Sequence, residues 1–371
     1  MAQTLNNYKV VLLAMLMLFS FIQFGIAQEH TETNNEEMHN SVSEEDFDPS
    51  TMINHHISDA HEFHIAGDLT LPLPVILWTK NGLTTFMSSE FHHDQDGKVI
   101  VTKKGVDLKR VHNNIYYANK VNGHELPSIT DFDSRPVDLS ITKNVFSMLL
   151  SLIIIFLIFS AIAKSYNKNN KAPKGLAGFF EPLVTFVRDD IAIPNIGEKK
   201  YAKFMPYLLT VFFFIWINNL IGLIPFFPFS SNLTGNIAFT FVLAFITFLI
   251  TTLNGNKDYW KHILMPPVPK LLYPIMVPIE IIGMFTKPFA LMIRLFANIA
   301  AGHIIILSLV SLIFIFKTVA IAPVSGAFVI FMSVLEMLVA ALQAYVFTLL
   351  SALFIGQAVA DHDHGHDEEF I

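Results

Sequence analysis

The chain has 371 residues, of which 53% are hydrophobic and only 15% charged, a balance that belongs to polytopic membrane proteins rather than water-soluble domains. It contains no cysteine, which excludes disulfides, thiolate nucleophiles, iron–sulfur clusters and cysteine-based zinc sites in any compartment. A net charge of -7 argues against a nucleic-acid partner.

Residues 1–27 read as a signal peptide: Lys9, an apolar stretch from Val10 to Phe24, then the small-residue site Gly25-Ile26-Ala27. An uncleaved anchor is the alternative, and either one exports the region after residue 27. Residues 28–143 change character. An acidic leader carrying Glu36, Glu37, Glu44, Glu45 and Asp46 is too polar to bury a core. It runs into a small β-rich module from about His61 to Tyr117, where Asn81-Gly82 and Asp96-Gly97 are expected to turn hairpins, because their positive φ matches the strand twist. His55, His56, His92 and His93 raise metal binding, but no fixed ligand spacing repeats, so they read as solvated histidines and no metal site is assigned.

Residues 144–360 make the membrane part. The first span covers 144–163, and Lys164, Lys168, Lys171 and Lys174 after it mark the cytoplasmic side. The next stretch, GLAGFFEPLVTFVRDDIAIP, is interrupted by Glu181, Arg188, Asp189 and Asp190 and suits an amphipathic helix on the inner interface. A second span is expected at about 204–224, an outer loop at 225–236 and a third span at 237–253; Lys257, Lys261 and Lys270 return the chain to the positive side. Residues 271–316 are too long for one upright helix. Either Lys287-Pro288 divides them into two spans, or they form one long, tilted and kinked helix. A last apolar helix is expected at about 326–359. The fold class is thus an all-α polytopic membrane protein, with about five membrane-embedded helices and an interfacial amphipathic one. Its last two helices form a long tilted hairpin, and a small β-rich extracytoplasmic module precedes the spans. Residues 361–371, acidic and histidine-rich, read as a solvated cytoplasmic tail.

Polar residues inside the late apolar runs are ordered. At 100° per residue Glu280, Lys287, Arg294 and Asn298 fall within about 40° of one another, and His303 points to the opposite side. Ala290, Ala297 and Ala301 flank Arg294 and let another helix approach closely. On the last helix Glu336, Ala340 and Gln343 share a side. If the two helices pack antiparallel, His303 approaches Glu336, and an imidazole beside a carboxylate suits proton transfer; the alternative is a static buried pair. Arginine keeps its proton at working pH, so Arg294 is a fixed cation able to drive the proton off a passing carboxylate. Glu280, the one acid on the stripe, lies about 21 Å away along a straight helix, which points to a carboxylate on another subunit.

The segments PIEIIGMFTKPFALMIRLFANIAAGHIIIL, LEMLVAALQAYVFTLLSALF and NNLIGLIPFF resemble subunit a of the F-type ATP synthases, the membrane stator beside the rotating c-ring. The resemblance covers about 144–359. It implies that the family's essential arginine falls on Arg294, its neighbouring asparagine on Asn298, its late glutamine on Gln343, the acid fourteen residues before the arginine on Glu280, and the asparagine of the second span on Asn219. Many members carry an acid nine residues after the arginine and a histidine seven before the glutamine; here His303 and Glu336 exchange the two types. Gly222 stands where some relatives have an aspartate. The resemblance also implies two offset aqueous half-channels, with Asn298, His303, Glu336 and Gln343 on the outer one and Glu280 towards the inner.

The function expected from this is that of a non-catalytic, proton-translocating F0 subunit without cofactor. Its partners would be the c-ring, the b-subunit peripheral stalk, the rest of the complex and membrane lipid. The inner membrane is the expected location, with the N-terminal region periplasmic and the C-terminus cytoplasmic. No GxxxxGK[ST] phosphate loop is present, so nucleotide chemistry belongs elsewhere. Two other readings are a self-contained secondary transporter with Arg294 as an anion site, which would require internal repeats and matched broken helices, and a metal-binding module on a membrane anchor.

Overall fold

The structure is a computed structural model that describes residues 58–66, 69–94, 96–111, 113–120, 133–168, 175–224, 231–266, 268–316, 318 and 321–360. The signal-like segment, the acidic leader with His55 and His56, Lys171, Lys174 and the tail 361–371 lie outside the described residues.

The N-terminal module is built from short antiparallel strands. β1 (Glu62–Ala66) pairs with β2 (Leu69–Pro72), β3 (Pro74–Thr79) lies between β4 (Gly82–Met87) and β8 (Val137–Asp138), and β6 (Val106–Val111) lies between β5 (Asp96–Lys103) and β7 (Asn114–Tyr117). Alternation in β3 sends Val75 and Leu77 inward, where they meet Phe86, Phe91, Val101, Leu108, Ile115 and Tyr117. Turn chemistry differs in part from the sequence expectation. Lys80 and Asn81 make the β3–β4 turn, and Gly82 opens β4 at φ +95°. Asp96-Gly97 turns no hairpin: it begins β5 at an irregular register, with Gly97 at φ +71°. A β-carbon on Gly97 would sit 2.8 Å from Val111 Cγ2, so this glycine serves close strand approach. The β5–β6 turn is instead Lys104-Gly105, both at positive φ, the requirement of a type I′ turn.

The module does not end at Tyr117. β8, far along the chain, completes the β3 sheet, and Leu139 and Ile141 donate backbone hydrogen bonds to Ile76 and Pro74. Two residues later helix α1 (Lys143–Lys168) begins. Its first turn is fastened to the module: Lys143 N–H donates to the Ala60 carbonyl at 2.8 Å, Asn144 N–H donates to Asp59 Oδ1 at 3.0 Å, and the Phe63 and Phe146 rings meet edge to face. An acid at a helix N-terminus satisfies donors that have no partner within the helix. Module and membrane part are therefore joined by hydrogen bonds as well as by chain.

α1 presents Ile153, Phe156 and Leu157 outward, as a lipid-facing helix does. The stretch expected as amphipathic is helical from Leu176 to Phe186 (α2), widens into a π-helical turn at Val187–Ala192 and ends in a short α-turn, Ile193–Ile196. Pro194 has no N–H to donate, and the Asn195 side chain donates to the Ile191 carbonyl at 2.8 Å. One side of the stretch buries Ala177, Phe180, Val187, Ile191 and Ile196 while Arg188, Asp189 and Asp190 stay exposed, the pattern of an interfacial helix.

α3 (Tyr201–Gly222) and α4 (Ile237–Leu253) come next; α4 is bent by 103° against α5 (Lys257–Leu264). Asn236 caps α4 by accepting from Ala238 and Phe239 N–H. The next stretch resolves a choice that the sequence left open: α6 is one helix, Tyr273–Ile315, with Pro278 and Pro288 inside it. At 1.5 Å per residue it is about 65 Å long, and only strong tilt keeps such a helix within a hydrocarbon layer of roughly 30 Å. Pro288 has no N–H for the Met284 carbonyl, and a cavity of about 20 Å3 lined by Met284, Pro288, Thr247, Thr251, Tyr259 and Lys287 leaves room for one water beside the broken turn. α7 (Ala322–Val359) returns antiparallel to complete the hairpin.

Four described helices are long and apolar enough to cross a membrane, or five if α4 and α5 make one bent span. Their common core includes Leu208, Phe213, Phe239, Leu243, Leu291, Leu295, Phe347 and Ile355. At the end of α7, Lys200 Nζ and Asn256 Nδ2 donate to the Val359 carbonyl at 2.6 and 2.9 Å, satisfying an acceptor that the helix cannot.

Candidate functional site

α6 has two faces. Leu291, Met292, Leu295, Ile299 and Ala300 are buried against the neighbouring helices, whereas Ala290, Arg294, Ala297, Asn298 and Ala301 are exposed. Arg294 forms no ion pair among the described residues. The bare small-residue strip beside it is open to a second helix, and no described segment of this chain covers it. The polar stripe read from the sequence divides here. Lys287 is drawn to α7, donating to Gln357 Oε1 at 2.9 Å with its ammonium over the Phe354 ring, while Arg294 and Asn298 stay on the open face. Glu280, half-buried, forms no ion pair among the described residues.

On the other side of α6 the hairpin brings His303 to Glu336, with Nε2 and Oε1 3.6 Å apart. Both Glu336 carboxyl oxygens are buried and lack a hydrogen bond among the described residues. At this separation one water, or a small side-chain movement, suffices to pass a proton between the groups. Ala340 and Gln343 lie buried along the same side of α7. Room for the carboxylate comes from Gly302: a β-carbon there would lie 2.7 Å from Glu336 Oε1. Gly302→Ala is therefore expected to leave the complex assembled, since only the flexible end of Glu336 must move, while lowering the rate of ATP-driven acidification of inverted vesicles several-fold. A pumping rate equal to the parent would mean that the position of the carboxylate is immaterial.

Asn219 is buried in α3, where its Nδ2 donates to the Ala340 carbonyl at 3.2 Å and its Oδ1 accepts from the Thr234 hydroxyl at 2.6 Å. It fastens α3, the outer loop and α7 together one turn from Glu336. Gly222 completes the neighbourhood: a β-carbon on it would lie 3.2 Å from the Ser231 carbonyl and 3.9 Å from His303 Nε2. A side chain at 222 would thus meet both the Ser231 carbonyl and the His303 ring. Ser231 in turn donates to Asn144 Oδ1 at 2.5 Å.

Sequence reasoning missed a second polar cluster, in the module. His61 is not a solvated histidine: it is buried, with Nε2 3.0 Å from Asp138 Oδ2. Burial pulls its pKa down, but the charge and hydrogen bond of Asp138, with Asp59 adding to them, leave it above the ordinary value. Burial pushes Asp138 up, and the bonds from His61 and Ser140 bring it below the usual carboxylate range. Arg110 and Glu62, both buried, pair at 3.2 Å, and His93 joins Glu62 at 2.7 Å. Among the described residues no three metal-ligating side chains converge as a metal site. Asp138 is far along the chain from Asp59 and His61, and only β8 pairing brings it to them.

Tilted antiparallel helices, an unpaired arginine on a bare small-residue face and an imidazole–carboxylate pair behind it define a membrane subunit that moves an ion beside a partner helix. Residues 145–356 match the family of the ATP synthase A chain. The chain is 52% identical over 237 residues to an ATP synthase subunit a from Chloroherpeton thalassium, covering 62% of this chain and 70% of that one. It is 45% identical over 256 residues to one from Myxococcus xanthus, covering 66% and 82%. The chain belongs to the ATP synthase A chain family, whose members are non-catalytic, proton-translocating subunits of the F0 sector working with the c-ring and the b subunits. Residues 52–139, which hold the β-rich module, match a separate family described only as a domain of unknown function.

Proposed function

We propose that Arg294 is the fixed cation facing the c-ring, and that Asn298, His303, Glu336 and Gln343 line the outer half-channel with Glu280 towards the inner one. The observation that carries this reading is an exposed, unpaired arginine inside an apolar helix whose opposite face holds the His303–Glu336 pair. An ionisable group at that depth is costly unless it is used. Each c-subunit carboxylate would be loaded from the outer half-channel and unloaded into the inner one, and the positive charge of Arg294 would prevent direct leak between them. Asn219 holds the wall of the outer half-channel by bracing Ala340.

Orientation belongs to the same proposal. Lys164, Lys199, Lys200, Lys203, Lys257 and Lys261 lie at the ends of spans away from the module, which supports a cytoplasmic C-terminus, a periplasmic module and residence in the inner membrane. Residues 1–27 would then be the exporting signal.

The test is an exchange. His303→Glu and Glu336→His are each expected to lower pumping strongly, because two acids or two imidazoles repel or cannot hand on a proton in sequence. The double variant keeps one of each and is expected to recover a large part of the rate. Equal loss in the single and double variants would show that the two side chains do not act as a pair.

A further inference from the structure

The exported module has no place in the two half-channels, yet its buried polar cluster adjoins the outer end of the His303–Glu336 pair. Contacts lead from one to the other. His61 Nε2 meets Asp138. The neighbouring Ala60 carbonyl and Asp59 carboxylate hold the first amides of α1, at Lys143 and Asn144. Asn144 accepts from Ser231, whose carbonyl, like His303 Nε2, borders Gly222. The Lys143 ammonium acts electrostatically on Asp59 on one side and on His303 on the other.

Two atoms along this line lack partners among the described residues: His61 Nδ1 and Asp59 Oδ2, both buried. Buried polar groups are nearly always satisfied by protein or by water, so two unsatisfied ones on neighbouring residues mark a place where water enters. Asp138, whose side chain is 32% exposed, gives the cluster its contact with the outside.

We propose that the module forms the outer mouth of the proton path, with Asp138 and His61 receiving protons from the extracytoplasmic side and passing them by Asp59 towards the Lys143, Asn144 and Ser231 region beside His303. The step is balanced within the ring: His61 takes a proton at Nε2 from the Asp138 side and releases one from Nδ1 to water beside Asp59, then resets by exchanging tautomers. Groups facing His61 come from every packed element. Asp138 lies on β8, Asp59 on the preceding segment and Arg110 on β6, and Arg110 is neutralised by Glu62. Burial works against the charged ring, and the charge and hydrogen bond of Asp138 more than offset it, so His61 holds a proton more readily than a free imidazole.

This inference rests on the assignment of His303 and Glu336 to the outer half-channel, and the test separates the two. Passive proton conduction would be measured in inverted vesicles stripped of the catalytic sector, with the complex otherwise whole, varying lumenal and bath pH independently between about 5 and 8. His61→Gln and Asp138→Asn are expected to lower conduction several-fold and to flatten its dependence on lumenal pH, leaving the dependence on bath pH as in the parent. A parental lumenal profile in both assembled variants would overturn the proposal and reduce the module to a clamp on α1. Glu336→Gln, run in parallel, reports on the membrane assignment alone: if it conducts normally, that assignment fails whatever the module variants do.

Should either module variant fail to assemble, near-isosteric cysteines decide in a chain that has none of its own. Ser140, buried and bonded to Asp138 and Ile76, lies on the proposed route. Ser88, equally buried but bonded to Leu73, lies off it. Silver ion in the lumen is expected to block conduction in Ser140→Cys and not in Ser88→Cys or the parent. Conduction in Ser140→Cys that silver leaves unchanged would show that water and protons do not pass there.

Discussion

Replacing Arg294 by alanine is expected to abolish ATP-driven acidification of inverted vesicles while the complex remains assembled in the same membranes. The fold has little to lose from this change. Arg294 is exposed, forms no ion pair among the described residues and lies on a strip of alanines. Insertion of an arginine near the middle of a span costs about 2.5–3.5 kcal/mol, so removing it eases insertion rather than opposing it. What is lost is the only fixed cation on the open face of α6 among the described residues, and with it, on the proposed role, the means of driving a proton off a partner carboxylate. Arg294→Lys is expected to restore little. A lysine is a compact, strongly hydrated charge that can itself give up its proton when buried, and it lacks the planar fork that pairs with a carboxylate. Normal pumping by an assembled Arg294→Ala complex would remove Arg294 from the ion path altogether.

Gly356→Ala is expected to cost stability at the far end of the hairpin, where α7 crosses the Ile193–Ile196 turn. A β-carbon at 356 would run into the Asn195 carbonyl oxygen and press on the Asn195 carbonyl carbon. Both are backbone atoms in a tightly packed turn with Ile196 buried, so neither yields as a flexible side chain would. Overpacking of this kind typically costs about 1–3 kcal/mol. The opposing gain, an alanine in place of a helical glycine, is about 1 kcal/mol, so the clash decides the sign. Loss of the crossing would also loosen the bonds from Lys200 and Asn256 to Val359. The check is the level of assembled complex in membranes and its thermal stability in detergent. Gly283→Ala is the control, because a β-carbon there meets nothing within 4 Å; it is expected to be neutral or slightly stabilising. Equal behaviour of the two variants would mean that the close crossing at 356 does not hold the hairpin together.

The chain's apolar periodicity and the spacing of Glu280, Arg294, His303, Glu336 and Gln343 determine where the long apolar helices lie and the side of each helix that carries charge. These are properties of one helix at a time, set by 3.6 residues per turn and by the cost of charge in lipid. Other features need contacts between elements. Whether 271–316 breaks at Pro288 depended on the packing of α4 beside the proline, so the single helix α6 could not be read from the proline alone. Asp96-Gly97 carries a turn signal, yet the turn went to Lys104-Gly105 because strand register placed Gly97 against Val111.

The polar line from Asp138 through His61 and Asp59 to Asn144 and Ser231 shows the division most clearly. Its members are spread from residue 59 to residue 231, and no local period connects them. They meet because β8 closes the module immediately before α1, and because Ser231, ahead of α4, bonds the first turn of α1. By itself the sequence determined which residues bear charge and which helix faces they occupy; only tertiary structure decided which charges meet, because hydrogen bonds between distant segments depend on packing and not on periodicity.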